Sequence, residues 1–479
     1  MLIRRRVVHI AVMLSSAALL MGGCTVGPKY VRPTAEVPAD YKETGPNWKV
    51  AQPSDAIAKG TWWEIYDDPQ LNSLEEQVTV ANQSLKAAQA TFAEARAAIR
   101  IARAPYYPSA TAGITAAHYT TSANSALHSA QDAHYQDYQI PFDASWEPDL
   151  WGRVRRTVEA ARSEAQASAS DLANVDLSLH AELAQDYFEL RGLDSQKQLL
   201  DSTVSAYQEA LKLTQSRYTG GIASAVDVAQ AQTQLETTRA QDQDVDVQRA
   251  AFEHAIAVLT GKPPYQFSVS LSPLGPPPMA IPVGLPSQLL ERRPDIAAAE
   301  RRVQEANANI GVAKAAYYPN VVLSAGAGVD SSTIGTLLQG ASGFWSLAGS
   351  AAELVFDGGA RRGATEQARA AYDLSVDNYR QTTLNAFQEV EDNLAALQVL
   401  QGEAKTQEVA VAAAQHSLDL SNSRYKGGVA DYLEVITAQS AALADQRTAV
   451  DILTRRMTAS VLLIKALGGG WDVSKIPPL

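Results

Sequence analysis

The sequence predicts a mainly helical α+β chain, built as an internal duplication, with four transmembrane β-strands and two very long coiled-coil hairpins. Three observations carry this. The stretch RYTGGIASAVDVAQAQ from Arg217 returns almost intact as RYKGGVADYLEVITAQ from Arg424. Each copy sits between two long proline-free runs, and a glycine pair lets a helix end in the left-handed conformation and reverse. Short stretches of strict apolar–polar alternation, the mark of a strand with one apolar face, occur once in each half ahead of those runs.

The chain begins with a basic segment, Arg4 to Arg6, and an apolar stretch of about 15 residues, short for a spanning helix but right for a secretory leader. Gly22 and Gly23 lead to Cys24, the single cysteine of 479 residues, so neither a disulfide nor a cysteine-based metal site can be built within one chain. Residues 1–23 are read as a lipoprotein signal peptide. Lipidation then falls on Cys24, with Met21 where leucine is usual and with Thr25 favouring the outer membrane. Residues 24–60, rich in proline, are expected as an extended, unpacked tether for the lipid.

The first repeat, residues 61–265, opens at Trp62-Trp63. Asp68 and Pro69 are an N-cap and first-turn proline for a helix to about Ala104. A strand pair follows at about 108–148. Tyr138, Ile140, Phe142, Ala144 and Trp146 alternate with Asp137, Gln139, Pro141, Asp143 and Ser145, while Ala110, Ala112, Ile114 and Ala116 mark the partner strand. His118 to His134 is expected as their loop. From Arg153 a helix on the order of 100 Å runs to a tip at about 217–223, with Val154, Val158, Ala161, Ala165, Ser168, Leu172, Val175 and Leu179 in the 4-3 spacing of a coiled-coil seam. The return helix ends near Leu259.

A proline-rich linker, residues 266–285, leads to the second repeat, residues 286–467. Its helix, Pro286 to Ala316, ends in Tyr317-Tyr318-Pro319 as the first ended in Tyr106-Tyr107-Pro108. A strand pair is expected at about 319–357, the second strand closing at Phe356. The second hairpin carries the seam Tyr372, Val376, Tyr379, Thr383, Ala386, Val390 and a tip at about 424–430. Residues 468–479 are a tail at the level of the chain ends and linker.

Composition excludes several functions. The net charge is −12 and becomes more negative once the leader is removed, so a polyphosphate partner is disfavoured and no nucleic acid is expected. The chain has no H-E-x-x-H, G-x-S-x-G or P-loop pattern, so no enzyme is read from it. His118, His128 and His134 match no ligand spacing, so no metal is expected.

Four strands cannot close a barrel, and open edges are not tolerated in lipid, so copies must associate; three would give about twelve strands. Here the residues resemble a known family. LMGGCTVGPKYVRP from Leu20, WEPDLWGR from Trp146, GLPSQLLERRPDIAAAE from Gly284, ANANIGVAKAAYYP from Ala306 and both RY-x-GG turns resemble the TolC-like outer-membrane lipoprotein channels of tripartite multidrug efflux pumps. The resemblance implies a homotrimer with a twelve-stranded barrel and a periplasmic helical tunnel. It also implies no cofactor beyond the lipid on Cys24, and docking to a periplasmic membrane-fusion adaptor and an inner-membrane RND transporter. A conduit for type I protein secretion and a periplasmic coiled-coil adaptor are the alternatives.

At the tips, Arg217, Tyr218, Gly220, Gly221, Asp227, Arg424, Tyr425, Gly427, Gly428, Asp431 and Glu434 are expected to form the periplasmic gate or the adaptor contact, the second and more charged tip moving more on opening. Trp146, Trp151, Phe344 and Trp345 are expected as membrane-interface aromatics.

Overall fold

The fold was obtained as a computed structural model that describes residues 25–38, 40–43, 61–122, 124, 134–277 and 289–479. Cys24, the leader and His128 lie outside the described residues. The helix expected after Asp68 is two helices, α1 (Pro69–Ala81) and α2 (Gln83–Arg103). Asp68 caps α1 as expected, accepting the N–H groups of Gln70 and Leu71 at 2.9 and 3.2 Å. The break falls at Asn82. Its side-chain oxygen caps α2 by accepting the Leu85 N–H at 2.9 Å, and its amide nitrogen donates to the Leu259 carbonyl at 2.8 Å. One buried asparagine thus starts a helix and ties it to the end of another.

Strands β1 (Ser109–Ala112) and β2 (Thr115–Thr120) lie in line, both antiparallel to β3 (His134–Trp146). They separate at Gly113, opposite Pro141. Proline has no N–H to donate to the ladder, and the Gly113 N–H closes the gap by donating to the Pro141 carbonyl at 3.1 Å. β3 pairs with β4 (Asn320–Ser331), and β4 with β5 (Gly343–Ala352), so one sheet joins the two halves in the order β1/β2, β3, β4, β5. The second strand of the second pair ends at Ala352, short of the expected Phe356.

Partners directly opposite share a face. Phe142, Ala327 and Trp345 therefore align, as do Ala144, Ala325 and Leu347, and this face is apolar and exposed: Phe142 is 62% and Trp345 77% accessible. The other face carries Asp143, Ser145, Ser324, Gly326 and Ser346. Phe344 belongs to this second face, opposite Gly328, whose missing side chain makes room for the ring.

Helices α3 (Arg153–Thr219) and α4 (Ala225–Leu259) form the first hairpin. After α5 (Leu289–Arg292) and α6 (Pro294–Ala315), helices α7 (Ala360–Lys426) and α8 (Tyr432–Ala466) form the second. The long helices have 67 residues each and the returning ones 35 each, so the duplication preserves length to the residue. At ~1.5 Å per residue the long helices span ~100 Å. α3 approaches α8 closely at Gly192, where a Cβ would lie 2.3 Å from the Thr454 hydroxyl. The main core, with Trp62, Leu71, Leu183, Tyr187 and Ile256, lies partway along α3, against α1, α4 and α8. Beside it, buried Arg191 and partly buried Arg249 both bind Asp194 and reach the carbonyls of Ser270 and Val269 at 2.6 Å, fixing the start of the linker.

The expected unpacked tether is corrected over residues 25–38 and 40–43, which form a strap. The Val26 N–H donates to the Trp151 carbonyl, and Arg156 donates to the carbonyls of Val26 and Pro28 at 3.3 and 3.0 Å. Gly27, at φ +109°, presses on Gly311, where a Cβ would meet Cα at 2.6 Å. Tyr30 donates to Glu300. Farther down, Tyr41 is buried among Phe387, Val390 and Leu394, and the Glu391 carboxylate accepts the N–H groups of Lys42 and Glu43 at 2.7 and 3.0 Å. A proline-rich chain cannot satisfy its own polar backbone, so the neighbouring helices do so. Among the described residues no helix is long and apolar enough to cross a membrane.

Candidate functional site: the paired helical tips

Both RY-x-GG motifs close their helices in the same way. The Ile222 N–H donates to the Arg217 carbonyl at 2.8 Å and the Gly221 N–H to that of Tyr218 at 2.9 Å; Val429 and Gly428 repeat this with Arg424 and Tyr425 at 3.0 Å each. This is a Schellman ending, with arginine and tyrosine contributing its two acceptor carbonyls. Only the second glycine of each pair is left-handed, Gly221 and Gly428 at φ +75°, whereas Gly220 and Gly427 remain right-handed helical.

The two tips touch. Arg217 donates to the Tyr425 carbonyl at 2.8 Å, and its guanidinium lies 4.6 Å from the centre of the Tyr425 ring. That ring also meets Tyr432, with ring centres 5.1 Å apart and the planes tilted by 57°. Tyr425 and Tyr432 are both buried, with Ala231 and Val435, and the Tyr425 hydroxyl has no partner among the described residues. Burial pushes the Tyr432 phenol up to about 12, the nearby Tyr425 adding to the effect. Tyr218, at the matching position of the first motif, is instead half exposed, at 50%.

The acids divide. Asp227 and Ser224 form a capping box for α4, each side chain bonding the other's N–H, at 2.8 and 3.1 Å. Glu434 lies 3.5 Å from Arg424 and 3.5 Å from the Ser421 hydroxyl. Asp431 stands at the N-cap of α8 with no side-chain capping bond. Sequence reasoning missed Tyr432. Its signal was available: it stands where the first copy has Ala225, the largest change in side-chain volume within the repeated stretch.

The aromatics are dispersed. Trp146 ends β3 and donates to the Tyr106 carbonyl at 3.1 Å; Trp345 stands exposed on the apolar face of β5. Trp151 lies past the strand, stacked on Tyr318 at 4.8 Å and donating to the Pro319 carbonyl at 2.8 Å, where it joins the two repeats below the sheet. Phe344 stands on the face shared with Asp143, Ser324 and Ser346. His118 and His134 stack across β2 and β3 at 6.4 Å, and among the described residues no three metal-ligating side chains converge.

A family model described as outer membrane efflux protein matches residues 74–262 and again 285–469, one match to each repeat. The toluene efflux pump outer membrane protein TtgC of Pseudomonas putida is 32% identical over 461 residues, 96% of this chain and 95% of that protein. The cation efflux system protein CusC of Escherichia coli is 29% identical over 458 residues, 95% of this chain and 97% of that protein. The solved structure of the outer-membrane channel OprN superposes with a TM-score of 0.87 at 29% identity, covering 94% of this chain and all of that one.

Proposed function

This chain belongs to the outer membrane efflux protein family, and we propose that it is the exit duct of a tripartite efflux pump, carrying small molecules to the cell exterior. It works in the outer membrane of a Gram-negative bacterium, with a periplasmic adaptor and an inner-membrane transporter as partners. The observation that carries the reading is the sheet. It has an exposed apolar face, a polar face, and free edges at β1/β2 and β5 among the described residues. Unpaired strand edges cost several kcal/mol per group in lipid, so β5 of one copy must pair with β1/β2 of the next. Three copies close about twelve strands around a polar lumen, and the 67-residue helices continue it as a tunnel.

Three finer assignments accompany this. Cys24 carries the lipid: the strap brings Thr25 against Gly152, at the foot of the sheet, so an acyl chain on the preceding residue is at the right height. Trp146 and Trp345 face the lipid boundary. The tips are the closed gate, which the Arg217–Tyr425 bridge and the Glu434–Arg424 pair support, and a partner opens it only by binding the splayed state more tightly. No catalytic step is part of this reading. The relatives' names divide between toluene and cations, so the cargo belongs to the partner transporter.

Membrane fractionation with and without heating tests the reading. Heat-modifiable trimers in the outer membrane, and drug accumulation in a deletion strain reversed by the gene, are expected; a soluble periplasmic monomer overturns it.

A further inference from the structure

The strap lies on α3, α6 and α7, and α2, the counterpart of α6 in the first repeat, does not receive it. Aligning Tyr106-Tyr107-Pro108 with Tyr317-Tyr318-Pro319 sets Arg100 of α2 at the position of Gly311 in α6, and Arg96 at that of Asn307. Gly311 receives Gly27, and Asn307 donates to the Pro28 carbonyl at 3.3 Å. Where the second repeat accepts its own chain against a glycine, the first presents arginine.

Arg96, Arg100 and Arg103 line a cavity of about 390 Å³ with Ala93, Ala97, Ile99 and Leu479. A neighbouring cavity of about 450 Å³ continues past Leu479 to Tyr106, Arg155 and Arg162. Asp149 already pairs with Arg155, and Glu159 with Arg156. Arg100, Arg103 and Arg162 form no ion pair among the described residues, and Arg96 only overlies the Phe92 ring, at 5.8 Å. A chain of net charge −12 thus concentrates arginines that form no side-chain ion pair among the described residues on one face, spanning ~10 Å of helix directly beneath β1.

That height is where the exit-duct reading sets the inner surface of the outer membrane, and the inference rests on that reading. We propose that the Arg96–Arg100–Arg103 groove holds the headgroup of an anionic phospholipid from the periplasm-facing leaflet. The phosphate sits among the three guanidiniums, and the acyl chains rise along the apolar sheet face at Ala110, Ala112 and Phe142. Guanidinium donors match phosphate oxygens in geometry, and the ladder complements the anionic charge of such a leaflet. The site fastens the first repeat to the membrane as the strap and its lipid fasten the second.

The test uses the purified full-length trimer in detergent, mixed with phosphatidylglycerol or phosphatidylcholine and examined by native mass spectrometry. The intact trimer should retain phosphatidylglycerol over phosphatidylcholine by about tenfold. The variant R96Q/R100Q/R103Q should remain a trimer and lose that preference. Equal retention of both lipids by the intact trimer overturns the proposal alone. So does equally tight binding of glycerol phosphate without acyl chains, which marks a free-anion site. A variant that no longer trimerises, tested beside the single change R103Q, assigns the groove to contact between copies and also overturns it. A wild-type protein that is a soluble monomer overturns the exit-duct reading as well.

Discussion

Arg217 of the first tip is bonded to Tyr425 of the second in two ways at once, donating to its carbonyl at 2.8 Å and lying over its ring at 4.6 Å. The arginine of one motif thus acts on the tyrosine of the other, and the two hairpins of a chain are closed as a unit. Replacing Arg217 by alanine should remove on the order of 1–3 kcal/mol from the closed tips. Single-channel conductance and uptake of large antibiotics should rise, and lysine should restore closure only in part, since it lacks the planar fork. Unchanged conductance in the alanine variant would remove the bridge from the gate.

Glu434 and Asp431 should not behave alike. Glu434→Lys sets a second cation against Arg424, whereas Asp431 makes no side-chain capping bond. The Arg424–Glu434 pair is largely exposed, so its loss is worth only ~0.2–1 kcal/mol. Conductance should rise modestly for Glu434→Lys and less for Asp431→Lys; the reverse order would contradict the assignment.

Within each glycine pair the second residue matters more. Gly221→Ala forces a side chain into left-handed backbone at φ +75° and should cost ~1–2 kcal/mol, while Gly220→Ala, at helical angles with ordinary contacts 3.4 Å away, should be almost neutral. Protease cleavage at the tip should accelerate for Gly221→Ala and Gly428→Ala, and stay near wild type for Gly220→Ala and Gly427→Ala.

His180 of α3 and Glu75 of α1 form a buried pair at 2.6 Å, with Trp63 stacked on the imidazole at 4.5 Å and Asp176 and Thr79 on its other nitrogen. Burial alone lowers the imidazole, but the Asp176 and Glu75 hydrogen bonds outweigh it and hold it up at about 9, from 6.5. Burial pushes Glu75 from 4.5 to about 7, with His180 opposing. Both groups bind a proton more tightly when folded. Stability from His180 is therefore complete below 6.5 and lost as pH rises through 9, and Glu75 changes in the same direction between 4.5 and 7. The melting temperature should fall from pH 5 to pH 9, and His180→Gln should flatten the slope. A parallel slope in the variant would exclude the pair as its source.

Much of the architecture was legible because it is written in local patterns. The glycine pairs, the Asp68-Pro69 start, the alternation in β3 and the 4-3 seams concern residues within a turn or two of one another, and the same signals recur in both halves. The family resemblance rested on the same stretches. Less of the tip was legible. Tyr218 and Tyr425 occupy the same place in the same motif, yet one is half exposed and the other buried, because Arg217 and Tyr432 cover only the second.

The sequence alone therefore determined the duplicated hairpins, their lengths and turns, and the place of a strand pair in each repeat, since helix, turn and alternation depend on neighbouring residues. Only the tertiary structure decided the break at Asn82, the strap on α3, α6 and α7, and the side of the sheet on which Phe344 falls. Each depends on a partner far along the chain: the Leu259 carbonyl for Asn82, Gly311 and Glu391 for the strap, Gly328 for Phe344. A buried polar group or bulky ring settles where a distant residue supplies an acceptor or leaves a space, and such positions are fixed when the elements pack.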